Sequence, residues 1–335
     1  MAYQKLFDWV KRECELVADN AATTADEVDI TLQMAIKALR QLPIYFAQCE
    51  DLVVNSRRSQ LVQKFIVALT QGGGSGHIFR AIDLLSHDAN RYIGDMLAWM
   101  HQVIASEEEF LEAVFGNAAQ NSQQPNMNDH EDGEKNDDNV PMKLSSTHDL
   151  LARCLQGLGR PLRVRIMQTL ESNSSLEMLY LLADLLRFYE STFASIIKAE
   201  NAVHSAVKGC LLECQRMFST ALKKQAKSLQ ENPPAYPLDL TASHMTRECG
   251  RQIREIIKVS EQALSLSNAD GGDDEVFSLN NVIGDIIQPI LQACRVSGQQ
   301  LGKSDTAVFM LNNVAIITHV SVFFLLSFSL LVLLR

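Results

Sequence analysis

Ser86–Phe115 reads SHDANRYIGDMLAWMHQVIASEEEFLEAVF. Tyr92, Met96, Trp99, Val103, Phe110 and Val114 recur at close to 3.6 residues, while Asp95, Gln102 and Glu107 to Glu109 fall largely elsewhere. That spacing predicts one amphipathic helix. At about 1.5 Å per residue it runs for roughly 40 Å. A helix of this length needs neighbours along its apolar side, which makes Tyr92, Met96 and Trp99 candidate packing or interaction residues.

Further along, Leu179, Leu182, Leu186, Tyr189, Phe193 and Ile196 alternate spacings of three and four. The rhythm resumes through Val203, Val207, Cys210, Cys214, Met217 and Ala221, with Glu200 the only polar residue at such a position. A stripe like this requires a partner helix, from the same chain or from another. Its aromatic and irregular residues favour bundle packing over a regular coiled coil. Leu179, Leu182, Leu186, Tyr189 and Phe193 join the candidate interaction residues.

Strand-like alternation is hard to find elsewhere, Pro and Gly are sparse, and the expected class is all-α. Helices are predicted over about 3–18, 26–39, 59–70, 88–115, 162–171, 175–230 with a possible break, 245–264, 276–296 and from 306 onward. The breakers are Pro43, Gly72 to Gly76, Gly157 to Pro161, Pro233 to Pro237 and Asp270 to Asp274. Residues 117–148 stand apart, with six acids and one lysine between Asp129 and Asp138. Such a stretch has too little apolar surface to offset its ordering entropy, so it reads as an acidic disordered loop. The expected organisation is a first helical block over 1–116, this loop, a second bundle block over 149–313 and an apolar tail over 314–335.

Three segments carry a resemblance. The string from Arg91 to Gln102, RYIGDMLAWMHQ, followed by Ala-Ser-Glu and an acidic turn, resembles the middle of subunit 6 of the conserved oligomeric Golgi complex. Arg160 to Ile166, RPLRVRI, and Leu185 to Tyr189, LLRFY, are similar to further strings of that family, and weaker echoes lie at 305–312 and 2–14. The resemblance extends to about Asn313 and places the chain in the central portion of such a subunit, without the family's amino- and carboxy-terminal parts. It implies an elongated rod of stacked helical bundles, attached peripherally to the cytosolic face of the Golgi membrane. The implied work is vesicle tethering in retrograde traffic within the Golgi. Implied partners are other subunits of the tethering complex, membrane-fusion proteins and small GTPases.

Composition narrows the remaining classes. Apolar residues make up 47 % and charged residues 21 %, with a net charge of -10. No cluster of Lys and Arg is interleaved with aromatics, so nucleic acid is not an expected partner. Arg160, Arg163 and Arg165 form the most basic short run and read as a solvated face or internal pairs. Seven irregularly spaced cysteines point to a reducing compartment, and no signal peptide is expected.

No constellation supports catalysis, a cofactor or a metal. Cys210 and Cys214 stand one turn apart, but on the apolar stripe and without a third ligand at suitable spacing, so they read as core residues. Gly302-Lys303-Ser304 lacks the preceding glycine and strand of a phosphate loop. The eight histidines are scattered, and none forms an H-E-x-x-H pair.

The tail leaves three readings open, one of them a divergent amphipathic helical end. There is no formal charge from Thr306 to Leu334, and Val314 to Leu334 is long enough to cross a bilayer of about 30 Å. This makes a tail-anchored membrane protein with a helical cytosolic interaction domain the alternative function. A further reading is translated intron, since Val320-Ser321 is what a typical intron start encodes and the following Phe, Leu and Ser are what pyrimidine-rich sequence encodes.

Overall fold

The computed structural model describes residues 2–19, 29–72, 80–116, 146–173, 175–197, 201–266 and 278–333, with backbone alone for 2, 17–19, 262–266 and 320–333. These residues form eleven α-helices and no strand. They are α1 (Ala2–Asp19), α2 (Ile30–Leu39), α3 (Pro43–Thr70), α4 (Ala89–Phe115), α5 (Thr147–Leu155), α6 (Gly159–Ser172), α7 (Leu176–Ile196), α8 (Ala202–Glu231), α9 (His244–Leu266), α10 (Leu279–Gly298) and α11 (Lys303–Leu333). A single 3-10 turn, Ile82–Leu85, precedes α4. The acidic loop read at 117–148 lies outside the described residues as far as 145.

Local chemistry explains where the helices begin and end. Pro43 occupies the first turn of α3, where its missing N–H costs nothing. Asp88 caps α4 by accepting from the Arg91 N–H at 3.2 Å. Ser146 and Asp149 form a reciprocal capping box at the start of α5. After α3, Gly72 takes φ 70°, and its N–H reaches the Val67 carbonyl at 3.0 Å. A side chain there would meet the backbone of Arg80 and Ala81 at 2.6 Å, so this position requires glycine on both counts.

Two compact units result, Met1–Met167 with Tyr189–Lys208, and Gln168–Phe188 with Gly209–Arg335. The helices α6, α7 and α8 each contribute residues to both. In the first unit α3 packs on α1 and α5, and α4 packs on α2 and α5. Its core includes Val10, Ile36, Leu39, Phe46, Leu61, Phe65, Ile93, Met96, Met100, Ile104, Leu111 and Leu151, all nearly or fully withdrawn from solvent. In the second unit α9, α10 and α11 pack on one another, and Ile253, Ile256, Ile286, Ile290 and Phe309 are buried. The first unit thus takes in α5, which packs on α3 and α4.

Two helices differ from the sequence reading. The helix expected at 59–70 starts at Pro43, and α5 was not anticipated at all. The polar run Asn55-Ser56-Arg57-Arg58 hides the continuity of α3, because Arg57 sits on the buried side. Residues 175–230 are divided between Ile196 and Ala202 into α7 and α8, the break allowed for above. Among the described residues, no helix is long and apolar enough to cross a membrane. The last part of the apolar tail lies outside the described side chains.

Candidate functional site

The candidate residues read from the sequence lie on helix faces, first those of α4. The Tyr92 hydroxyl donates to Asp83 Oδ1 at 2.9 Å, and burial together with that carboxylate pushes its pKa up to about 12. Arg165 of α6 reaches the same Asp83 oxygen at 3.5 Å, an internal pair for one of the three arginines, while Arg160 and Arg163 are exposed. Met96 is fully buried, and Trp99 sits with its ring centroid 5.2 Å from that of Phe65.

One residue of α4 corrects the sequence reading. Glu107, assigned to the polar side, is buried at 1 % exposure and receives two hydrogen bonds from Arg57 of α3, itself 2 % exposed. The Arg57 guanidinium also lies 4.2 Å over the Phe110 ring. Both charges sit where apolar residues would be expected. On α4 the run Ile93, Met96, Met100, Ile104, Glu107, Leu111 and Val114 keeps a three-and-four spacing; on α3 the run Val53, Arg57, Leu61 and Phe65 recurs every four residues. The signal was therefore present as register, and charge masked it.

The stripe on α7 and α8 is largely withdrawn from solvent. Leu179, Leu182, Leu186, Phe193, Val203, Val207, Cys210 and Cys214 are buried, and Tyr189 is half-buried with its ring 5.7 Å from Phe193. In the second unit the Cys214 thiol donates to the Leu179 carbonyl at 3.3 Å, and Tyr180 faces Phe218 at 6.0 Å. In the first unit His204 Nε2 lies 2.9 Å from Glu190 Oε1. The beginning of α6 approaches α8 so closely that a Cβ on Gly159 would meet the Ala202 carbonyl oxygen at 2.6 Å.

Sequence reasoning did not single out Asn313. Its Oδ1 accepts from the Ser243 N–H at 3.0 Å and the Thr246 hydroxyl at 2.6 Å, with the Cys294 sulfur at 3.5 Å, while its Nδ2 donates to the Phe309 carbonyl. This buried network ties α11 to α9 and α10. The opposite side of α11 presents Val308, Leu311 and Val314 to solvent, Leu311 at 71 % exposure, with the small residues Ala307 and Ala315 beside them. No charge interrupts this face, and its three-and-four spacing suits a second helix laid against it. On α2, Ile30 and Met34 are similarly exposed. Among the described residues no group of three His, Cys, Asp or Glu stands together as a metal site, and Cys210 and Cys214 are core residues of α8.

An all-helical chain of packed bundles with open apolar helix faces matches one family in sequence. The family model described as Conserved Oligomeric Golgi complex subunit 6, C-terminal, matches residues 1–326. The chain belongs to this family. Conserved oligomeric Golgi complex subunit 6 of Arabidopsis thaliana is 32 % identical over 301 residues, covering 89 % of this chain and 42 % of that protein. The Homo sapiens subunit 6 is 29 % identical over 313 residues, covering 93 % and 43 %. That of Cryptococcus neoformans is 29 % identical over 326 residues, covering 95 % and 42 %. The chain thus spans less than half the length of the curated subunit 6 relatives it matches. The subunit 6 match runs past Asn313, where the sequence resemblance stopped, and the matched model is described as C-terminal where the resemblance pointed to the middle of the subunit.

Proposed function

We propose that this chain acts as a structural part of a multisubunit vesicle-tethering complex in retrograde transport within the Golgi, working through protein–protein contacts. The observation that carries the reading is the match to the subunit 6 family over residues 1–326. The open apolar face of α11 supports it, since it provides contact area for another helix. Its partners are the other subunits of that complex, with membrane-fusion proteins and small GTPases as further contacts. It is held peripherally at the cytosolic face of the Golgi membrane. Packing residues such as Tyr92, Met96 and Trp99 act in this scheme by stiffening the helices, as do Leu179, Leu182, Leu186, Tyr189 and Phe193.

Affinity purification of the tagged chain from cells, with identification of what accompanies it, tests the assignment. Recovery of the other subunits of a Golgi tether supports it; their absence from a folded, expressed chain sinks it. Carbonate extraction tests the mode of attachment, because a peripheral chain is released at high pH and a membrane-spanning helix stays in the pellet. The variant Val308→Asp with Leu311→Asp localises the surface. Both side chains are exposed, so the charges remain solvated and the melting temperature should hold within a degree or two. Recovery of partner subunits should fall several-fold; unchanged recovery would move the interface away from this face.

A further inference from the structure

In the first unit, α2 and the last turn of α4 border a cavity of about 120 Å³, room for one apolar side chain. Ile36, Val114 and Phe115 line it and are themselves buried, while Met34 stands at its rim, 63 % exposed. Two cations also line it. Arg40 is fixed in place: its guanidinium donates to the Phe115 carbonyl at 2.6 Å and lies 5.2 Å over the Phe46 ring, with the buried Glu50 carboxylate near enough to offset part of its charge. Lys37 is exposed, and among the described residues no carboxylate pairs with it. Ile30, Met34 and Lys37 follow one another at spacings of four and three, so they form a single stripe of α2 roughly 10 Å long. Two exposed apolar side chains thus lead to a free ammonium, beside a hole that nothing in the described structure fills.

We propose that this groove docks an acidic amphipathic helix of a partner protein, with one apolar side chain of that helix filling the cavity and a carboxylate meeting Lys37. An extended peptide has nothing to join, because no described residue belongs to a strand and no sheet edge offers its backbone hydrogen bonds. A helix suits the stripe, since anchors repeating every three or four residues meet Ile30, the cavity beside Met34, and Lys37 in turn. The sign of the partner follows from charge. In a chain of net charge -10, an unpaired ammonium next to exposed apolar surface is a local reversal of sign, and it selects a carboxylate over a second cation. A bilayer is the poorer fit, because attraction to anionic lipid grows with the number of surface cations and this groove presents one free one. The anchor in the cavity supplies most of the affinity, and the ion pair at the rim decides which helix is accepted. The groove belongs to the first unit and the α11 face to the second, so the two surfaces stand or fall separately.

Fluorescence anisotropy on the intact chain provides the test, with a pair of labelled synthetic helices as probes. Both carry leucines spaced three and four apart; one has glutamates beside the leucine stripe, and the other has lysines in their place. The glutamate helix should bind saturably and the lysine helix about tenfold more weakly, with the difference shrinking as salt is added. Lys37→Glu should reverse this preference, a gain that a misfolded chain cannot produce. Met34→Asp should weaken the glutamate helix about tenfold. Both side chains are exposed, so the melting temperature of either variant should hold within a degree or two. Val308→Asp with Leu311→Asp should leave binding unchanged, which separates this site from the α11 face. No saturable binding of the glutamate helix, equal binding of both helices, or indifference to Lys37→Glu overturns the proposal. Binding that appears only once residues 121–140 are deleted also overturns it, and assigns the groove to the chain's own acidic stretch. Self-association that Met34→Asp abolishes would give the groove to a second copy, and capture of phosphatidylserine vesicles through Lys37 in place of the helix would give it to a membrane; either result sinks the proposal.

Discussion

Removing the Trp99 indole would empty the space beside Phe65 and the fully buried Met96, so Trp99→Ala should cost about 3–5 kcal/mol, read from urea titration. A melt unchanged within a degree or two would mean that this face carries no packing. The Arg57–Glu107 pair gives the opposite kind of test. Arg57→Ala leaves a buried carboxylate without its partner and should cost about 3–5 kcal/mol, whereas Arg57→Met with Glu107→Leu should be far milder, because it removes both desolvated charges together. A double variant as unstable as the single one would show that the apolar pair does not fill the space. This pair also marks the limit of what residue type reveals. The apolar members of α4 could be placed from periodicity, but a buried carboxylate is recognised only when its cation is known to face it, and that cation is fifty positions away on another helix.

Among the elements, α7 and its neighbours carry the sharpest expectation. Leu186 and Phe193 are fully buried, so Leu186→Asp with Phe193→Asp places two carboxylates without partners in apolar surroundings. Loss of cooperative thermal unfolding by circular dichroism should follow. A soluble, fully helical and cooperatively melting product would instead mean that these residues face a partner. The long helices were legible because a stripe sustained over several turns averages out single exceptions. Short or interrupted ones were not. The nine residues of α5 span too few turns for periodicity to register, and its clearest mark, the Ser146–Asp149 capping box, lies beside an acidic run that drew the reading toward loop. In α3 the buried Arg57 split one helix of 28 residues into an assigned half and a missed half. Asn313 was invisible for a related reason: an amide in a helix acquires its meaning from Ser243, Thr246 and Cys294, which no local spacing connects to it.

Over the whole molecule, burial of the thiols sets a direction for alkaline behaviour. Desolvation pushes Cys154 and Cys214 up to about 12 and Cys249 up to about 11, while an unfolded cysteine titrates near 8.5. These groups are neutral in both states below about pH 8. Above that the unfolded chain loses protons first, so the stability they contribute falls progressively as pH rises toward 12. Melting temperature should therefore hold between pH 7 and 8 and decline from about pH 9, and a flat profile to about pH 11 would mean the thiols are hydrated. The Arg57–Glu107 contact has a different consequence, for the history of the sequence. A lineage that changes one codon at a time can reach an apolar pair only through an intermediate holding a lone charge in the core. With domains stable by about 5–15 kcal/mol, that intermediate surrenders a large share of the margin. The two positions are thus joined as a ratchet: once both charges are in place, single steps lead backward into poorly folded chains, and escape requires a prior gain of stability elsewhere.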